Sequence, residues 1–157
     1  QVEGELAVVI GRICKDVPVE RAQEAIFGFT VANDVTADGD WGADDMIRAK
    51  GSDTFCPLGP WMVTHFSVAE AGNVRLRTTV DGTVCQESST SEMIRSVSEL
   101  VSEISSRLTL LPGDVILTGT PAGAAPVVPR QQVEVEIEGI GTLVNSVVAG
   151  QNAVVEG

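Results

Sequence analysis

The chain has 157 residues, of which 43% are hydrophobic and 20% charged, so a disordered polymer is excluded and we expect one globular domain over residues 1–157. Its formal net charge of −12 at pH 7 and its aromatic content of 4% disfavour binding to a phosphate backbone or to stacked bases, and we expect no nucleic-acid partner. No apolar run approaches the roughly 20 residues of a membrane span, so we expect no membrane partner.

The N-terminal part of the chain predicts a strand followed by a helix. The apolar run over residues 6–13 predicts a strand that is buried on both faces. Residues 16–28 carry signals for the start and the end of a helix. Asp16 is a candidate cap, Pro18 lies in the first turn, and Gly28 is the predicted stop.

The middle of the chain predicts a short strand, a loop and a hairpin. Residues 29–33 are rich in strand-forming side chains, and the acidic, glycine-containing segment 36–46 predicts a mobile loop. Asp81–Gly82 stands between two arms rich in Thr and Val, which is the pattern of a two-residue type I′ turn. This Asp-Gly pair is the clearest local structural signal in the sequence.

The C-terminal part predicts a helix and a second hairpin. Apolar residues recur at helical spacing between Met93 and Leu108, and Ser89 and Glu92 have the spacing of a capping box ahead of them. We expect this apolar stripe to pack in the core. Apolar residues and glutamates alternate strictly over residues 133–138, and a glycine-rich turn follows at 139–141, which together predict the hairpin. Because strands outnumber helices, the fold class predicted from the elements is β-rich α+β, with two helices packed on sheets.

Two glutamates, Glu3 and Glu5, directly precede the first predicted strand. Side chains two residues apart in a strand point to the same face, so these carboxylates repel each other unless water screens them or a cation binds between them. The same spacing occurs at 134–138, where a solvated strand face is the ordinary explanation. The spacing therefore leaves a solvated strand end and a divalent-metal site open. The strand that follows is apolar on both faces. It therefore favours the metal site, because a strand buried on both faces directs the carboxylates at its end towards a cleft rather than towards open solvent.

The cysteines and the histidine limit the chemistry further. Cys14, Cys56 and Cys85 are widely spaced and outside any C-x-x-C pattern, which disfavours a disulfide scaffold and a zinc site. A reduced, cytoplasmic protein is the natural expectation. His65 is the only histidine, so a histidine-rich metal centre is excluded, and we expect His65 to be structural or exposed.

Five motifs occur in one order along nearly the whole chain. They are EGELAVVIG, FTVANDVTA, AKGSDTFCPLGPWMVT, LTLLPGDVILTGTPAG and VEVEIEGIGTLVN. In this combination the chain resembles the C-terminal catalytic domain of the fumarylacetoacetate hydrolase family. The resemblance implies a mixed β-sandwich roll with two flanking helices.

The resemblance also implies a set of site residues. Glu3, Glu5 and Asp34 match the family's metal ligands, and an all-carboxylate site suits Mg²⁺ or Mn²⁺, with Ca²⁺ as a further possibility. Lys50 matches the active-site lysine, which implies a catalytic role and a contact with the substrate carboxylate or oxyanion. Thr120 matches a threonine that contacts the substrate carboxylate.

The activity implied by the resemblance is enolate chemistry on a small anionic 2-oxo or 1,3-dicarbonyl acid. Our first choice is hydrolysis of a C–C bond in a substrate of the fumarylacetoacetate or acylpyruvate type. The alternatives are isomerisation of 2-hydroxyhepta-2,4-diene-1,7-dioate and decarboxylation of a β-keto acid such as oxaloacetate. The family is usually homodimeric, and the apolar edge at residues 143–148 would suit an interface.

Two departures from the family pattern keep a noncatalytic binding subunit open as a further alternative. Relatives continue after the position of Ala37 with Arg-Asp and a nearby Gln, whereas this chain continues with Asp38-Gly39-Asp40-Trp41. Relatives also carry a catalytic histidine on a segment upstream of the E-x-E motif. A chain that begins at Gln1 does not contain that segment.

Overall fold

The structure, a computed structural model, describes residues 1–37, 39 and 45–149. Within that part of the chain, eight strands form two antiparallel sheets of four. The strands are β1 (Gly4–Ile10), β2 (Ile26–Asn33), β3 (Leu58–Val63), β4 (Arg75–Val80), β5 (Thr83–Ser89), β6 (Val115–Leu117), β7 (Gln132–Ile137) and β8 (Gly141–Ser146). The helices are α1 (Met46–Lys50), α2 (Val68–Ala71) and α3 (Val97–Arg107), with 3-10 turns at Val19–Glu24 and Thr90–Glu92. The predicted β-rich α+β class is confirmed.

The two sheets pack face to face around one apolar core. The first sheet has the order β3-β2-β1-β6 and the second β5-β4-β7-β8. Every residue of β1 is buried, which confirms the prediction of a strand buried on both faces, although β1 ends at Ile10 rather than at residue 13. A Cβ added to Gly4 would meet Thr78 of β4 and Val135 of β7, so this side of β1 faces the second sheet. The neighbouring residue Glu5 therefore projects from the opposite side of the strand.

Both predicted hairpins are confirmed. Asp81 and Gly82 have φ values of 49° and 78°, the positive values that a type I′ turn requires at both central residues. In the second hairpin, β7 alternates between buried Val133, Val135 and Ile137 and more exposed glutamates. This half-buried pattern is the expected one for a strand with a wet, charged face.

The helix predicted over residues 16–28 is wrong. A 3-10 turn occupies Val19–Glu24, its N-cap is Pro18 rather than Asp16, and β2 begins at Ile26 instead of at residue 29. Gly28 does not end a helix, because it lies inside β2. A Cβ at Gly28 would stand 2.5 Å from the carbonyl oxygen of Val63 in β3, so the glycine permits a close approach of two strands.

Helix α3 exists as predicted, but it begins later. The capping box is formed by Ser96 and Glu99, while Ser89 caps the preceding 3-10 turn by accepting a hydrogen bond from the backbone N–H of Ser91. The buried helical side chains include Val97 and Val101, which confirms that the first part of the apolar stripe packs in the core. The predicted loop at 36–46 lies mostly on residues outside the described ones.

The substitution Ser96→Ala is expected to lower the free energy of unfolding by about 1 kcal/mol, because it removes the N-cap of α3. The Ser96 hydroxyl accepts from the N–H of Glu99 at 3.3 Å, and the Glu99 carboxylate accepts from the N–H of Ser96 at 2.7 Å. Urea unfolding of the wild type, Ser96→Ala and the mid-helix control Ser102→Ala would measure the effect. Equal stability of all three proteins would show that the box contributes nothing.

Candidate functional site

Three carboxylates meet at one end of the two central strands of the first sheet, where β1 begins and β2 ends. Glu3, Glu5 and Asp34 each offer one oxygen, and these oxygens lie within 4.8 Å of one another. Glu5 is only 3% exposed, and the side chains of Glu3 and Asp34 are 19% and 15% exposed. The structure therefore brings together the three residues that the resemblance implied as metal ligands.

The antiparallel pairing of β1 with β2 places Asp34 beside Glu3. Gly4 pairs with Asn33, and the N–H of Asp34 donates to the carbonyl oxygen of Glu3 at 2.8 Å. The side-chain oxygen of Asn33, which is 1% exposed, accepts from the N–H of Glu3 at 3.2 Å. Because these bonds continue the sheet beyond both strand ends, the carboxylates are held on an ordered backbone.

Lys50 completes the cluster from the C-terminal end of α1. The helix is tied to the segment that follows β2 by a hydrogen bond of 2.7 Å from the N–H of Ala37 to the carbonyl of Ala49. The Lys50 ammonium donates to Glu3 at 3.1 Å and also to Asp34. Burial lowers the pKa of Lys50, but these bonds and the two charges outweigh it and raise the pKa above its ordinary value. With all three carboxylates ionised, as ligation of a cation requires, the cluster and the ammonium carry a local charge of −2, which one divalent cation would neutralise.

Glu5 is a buried acid with a perturbed pKa. Burial, together with the negative charges of Asp34 and Glu3, raises the pKa of Glu5 to about 7, although the hydrogen bond from the N–H of Gly119 lowers it in part. Gly119 donates to a Glu5 oxygen at 2.6 Å. A buried carboxyl with this pKa marks a place where a bound cation would relieve an electrostatic cost.

Thr120 lies next to the cluster but is bonded to the protein. Its hydroxyl donates to the carbonyl oxygen of Gly4 at 3.0 Å and accepts from the side-chain amide of Gln86 at 2.8 Å. The single hydroxyl hydrogen is therefore used within the protein. A substrate would meet the remaining oxygen lone pair or the backbone N–H of Thr120.

Several residues of this region were not predicted from the sequence. Asn33 and Gln86 are buried polar side chains in strands, and a polar residue at an inward strand position was the signal that could have found them. Gly119 acts through its backbone, which leaves no side-chain signal. Cys56 also lies near the cluster, since burial and then the charges of Asp34 and Glu5 raise the pKa of its thiol.

The remaining sequence-based expectations concern residues outside the cluster. Cys14, Cys56 and Cys85 are free thiols. His65 is exposed, and its ring packs edge-on against Phe66 with the centroids 5.1 Å apart. None of the helices in the described ranges has the length and apolar character needed to cross a bilayer.

Comparison with known proteins defines the class. The family model described as the fumarylacetoacetate hydrolase C-terminal domain matches residues 1–148. The chain therefore belongs to the fumarylacetoacetate hydrolase family, whose relatives are enzymes named as hydrolases, isomerases and decarboxylases. The chain spans about half the length of the curated relatives that it matches.

Three of these similar proteins illustrate the range of activities. A crystal structure of 5-carboxymethyl-2-hydroxymuconate delta-isomerase from Mycobacterium smegmatis is 52% identical, with a TM-score of 0.86 over 96% of this chain and 59% of that one. A 4-hydroxyphenylacetate degradation bifunctional isomerase/decarboxylase from Salmonella dublin is 42% identical over 96% of this chain and 36% of its own length. Maleylpyruvate hydrolase from Sphingobium, in complex with manganese(II) and pyruvate, is 32% identical, with a TM-score of 0.87 over 96% of this chain and 55% of that one.

Proposed function

We propose that the protein binds one divalent cation through Glu3, Glu5 and Asp34 and uses it in enolate chemistry on a small 2-oxo or 1,3-dicarbonyl acid. The observation that carries this proposal is the convergence of three carboxylate oxygens within 4.8 Å around the buried Glu5. When bound, a divalent cation supplies Lewis-acid stabilisation of negative charge on substrate oxygens. The surrounding residues bind and orient the substrate.

The donor set fits a hard cation. It consists of carboxylate oxygens without a histidine or cysteine ligand, which suits Mg²⁺ or Mn²⁺ and makes zinc a poor match. Three protein ligands leave coordination positions for a substrate. The structure of the Sphingobium hydrolase with manganese(II) and pyruvate supports the same combination of a metal and a 2-oxo acid. We propose Mg²⁺ or Mn²⁺ as the physiological ion, with Ca²⁺ as a further possibility.

Lys50 and Thr120 are the proposed substrate-binding residues. The Lys50 ammonium lies against two of the carboxylates, so it can exchange one of these bonds for a substrate carboxylate or oxyanion. A fixed positive charge at that position stabilises negative charge as it develops on the substrate. Thr120, beside Gly119, would donate its backbone N–H to the substrate carboxylate, because its hydroxyl hydrogen is already donated to the carbonyl oxygen of Gly4.

Three reaction types remain as candidates. C–C hydrolysis is the activity that we predicted first, and the Sphingobium maleylpyruvate hydrolase supports it. Isomerisation of a 2-hydroxy-dienedioate, or decarboxylation of a β-keto acid, is favoured by the Mycobacterium smegmatis isomerase at 52% identity and by the Salmonella relative. All three reactions pass through an enolate or enol, so one site can serve any of them. A noncatalytic subunit is disfavoured, because a site without function has little reason to keep three close carboxylates.

The assembly and the setting of the protein are proposals as well. A homodimer is proposed on the family resemblance and on the partly exposed Val144 and Val148 of the segment 143–148. A role in the catabolism of aromatic compounds is supported by the name of the Salmonella relative. The three free thiols support a reducing, cytoplasmic location.

Removal of the metal is expected to lower turnover at least about 100-fold, because the cation supplies several kcal/mol of charge stabilisation. The measurement compares acylpyruvates, 2-hydroxy-dienedioates and oxaloacetate as substrates of the protein, before and after EDTA treatment and after readdition of Mn²⁺ or Mg²⁺. The substrate class with the highest kcat/KM identifies the reaction. Turnover that survives EDTA, or no turnover of any class with Mn²⁺ present, would contradict the proposed function.

A further inference from the structure

Gln86 connects the second sheet to the strand end of the first sheet where the carboxylates lie. It lies on β5 and is 1% exposed. Its side-chain oxygen accepts from the N–H of Gly4 at 2.9 Å. Its side-chain nitrogen donates to the Thr120 hydroxyl at 2.8 Å and to the carbonyl of Pro121 at 2.8 Å. One acceptor and both N–H donors of the buried amide are therefore used, and all three partners belong to two short segments.

These two segments are the ones that carry Glu5 and its hydrogen-bond donor. Gly4 lies between Glu3 and Glu5 in the chain. Hydrogen bonds to its N–H and its carbonyl therefore fix the backbone that joins the two glutamates. The carbonyl of Gly4 accepts from Thr120, and the N–H of Gly119 donates to Glu5. Gln86, Thr120 and Gly4 thus form a closed ring of hydrogen bonds directly behind the cluster.

We infer that Gln86 is a positioning residue of the metal centre, which holds the backbone between Glu3 and Glu5 against the loop of Gly119 and Thr120. This inference rests on the proposed function, in which the cluster binds a divalent cation. Among the hydrogen bonds of the described residues, none joins Gln86 to the carboxylate of Glu3 or Glu5, so Gln86 acts through the segments that carry them. Groups that orient metal ligands in this way affect metal affinity because the ligand oxygens must converge within a few tenths of an ångström.

The inference is tested by Mn²⁺ titration followed by electron paramagnetic resonance, which reports both affinity and the symmetry of the bound ion. Gln86→Met keeps the length of the side chain and removes its hydrogen bonds. We expect Mn²⁺ binding at least about 10-fold weaker than in the wild type, with a changed spectrum of the residual bound ion. The matched control is Ser105→Ala, which removes a different fully buried polar group, a hydroxyl bonded to Val17 and Ser102 in the region of α3. This control should bind Mn²⁺ as the wild type does.

A second pair of variants decides the question if Gln86→Met does not fold. Thr120→Ser keeps the hydroxyl of the hydrogen-bonded ring and should bind Mn²⁺ as the wild type does, whereas Thr120→Val should weaken it as Gln86→Met does. Thermal unfolding confirms that each compared protein is folded. If Gln86→Met binds Mn²⁺ with the affinity and the spectrum of the wild type, the role of Gln86 is overturned and the proposed function is not. Where Gln86→Met does not fold, the same result for Thr120→Val overturns that role. A wild type that binds no Mn²⁺ would instead overturn the proposed function and this inference with it.

Discussion

The substitution Lys50→Met is expected to lower kcat/KM by about 100-fold to 1,000-fold while Mn²⁺ remains bound. The ammonium of Lys50 bonds to Glu3 and Asp34, so it stands where a substrate bound at the three carboxylates would develop negative charge. Loss of one such preorganised donor typically costs about 100-fold to 1,000-fold in rate. Methionine keeps the apolar stem of the side chain without its charge. Mn²⁺ affinity should hold or rise, because one positive charge leaves the neighbourhood of the cation.

Lys15→Met is the matched control for the loss of charge, because it is the same substitution at a lysine outside the cluster. Lys15 pairs with Asp16 at 3.2 Å and donates to the carbonyl oxygen of Ser106 at 2.6 Å. Its replacement should leave turnover within about 2-fold of the wild type, since a partly exposed pair contributes little. Steady-state kinetics with the best substrate, together with Mn²⁺ titration, separates the outcomes. A large loss of Mn²⁺ binding in Lys50→Met would assign Lys50 to the structure of the metal centre, and unchanged kinetics would remove it from the mechanism.

The substitution Gly4→Ala is expected to destabilise the protein by about 3 kcal/mol, because it adds a methyl group to a contact without space. The added Cβ would lie 2.2 Å from the hydroxyl oxygen of Thr78 and 2.9 Å from a methyl carbon of Val135. Both neighbours lie in the second sheet and are fully buried. The strand would have to move away from β4 and β7, and the backbone between Glu3 and Glu5 would move with it. Mn²⁺ affinity is therefore expected to fall together with stability.

A double-mutant cycle with Thr78→Ala tests the cause. The Thr78 hydroxyl is buried and has no hydrogen-bond partner within the described ranges, so its removal costs no hydrogen bond. In the double variant the oxygen that meets the new Cβ is absent, and we expect a favourable coupling of at least about 1 kcal/mol in urea unfolding. Additive losses would show that the contact between the sheets is not what makes glycine necessary at this position.

The local patterns predicted much of the fold. The doubly apolar β1, the hairpin at Asp81–Gly82 and the alternating β7 all follow from hydrophobic period and turn chemistry, which act over a few residues. The errors arose where a distant contact decides the structure. Gly28 has the appearance of a helix stop, but the carbonyl of Val63 in another strand explains it. One Ser-x-x-Glu pattern, at Ser89, precedes α3, and a second one, at Ser96, starts it. The sequence did not show which of the two serines caps the helix.

The candidate site could be predicted only in part. Side-chain spacing offered a metal site at Glu3 and Glu5 as one of two explanations, and the family resemblance added Asp34, Lys50 and Thr120. The antiparallel pairing of β1 and β2 brings the three acids together, and the C-terminal end of α1 adds the lysine. The supporting groups stayed hidden because they act across large sequence separations. Gln86 meets Gly4 from a strand of the other sheet, and this contact leaves no local pattern in the sequence.

Binding of a divalent cation by the carboxylate cluster is the central claim, and Mn²⁺ titration of the wild type, Glu5→Gln and Glu136→Gln tests it most directly. Glu136 belongs to the other glutamate-alternating strand, where it is exposed, so it undergoes the same chemical change away from the cluster. We expect one tight site per chain in the wild type and in Glu136→Gln, and binding at least about 100-fold weaker in Glu5→Gln. Absence of a tight site in the wild type, or equal binding in all three proteins, would contradict the metal centre and the enzyme function built on it.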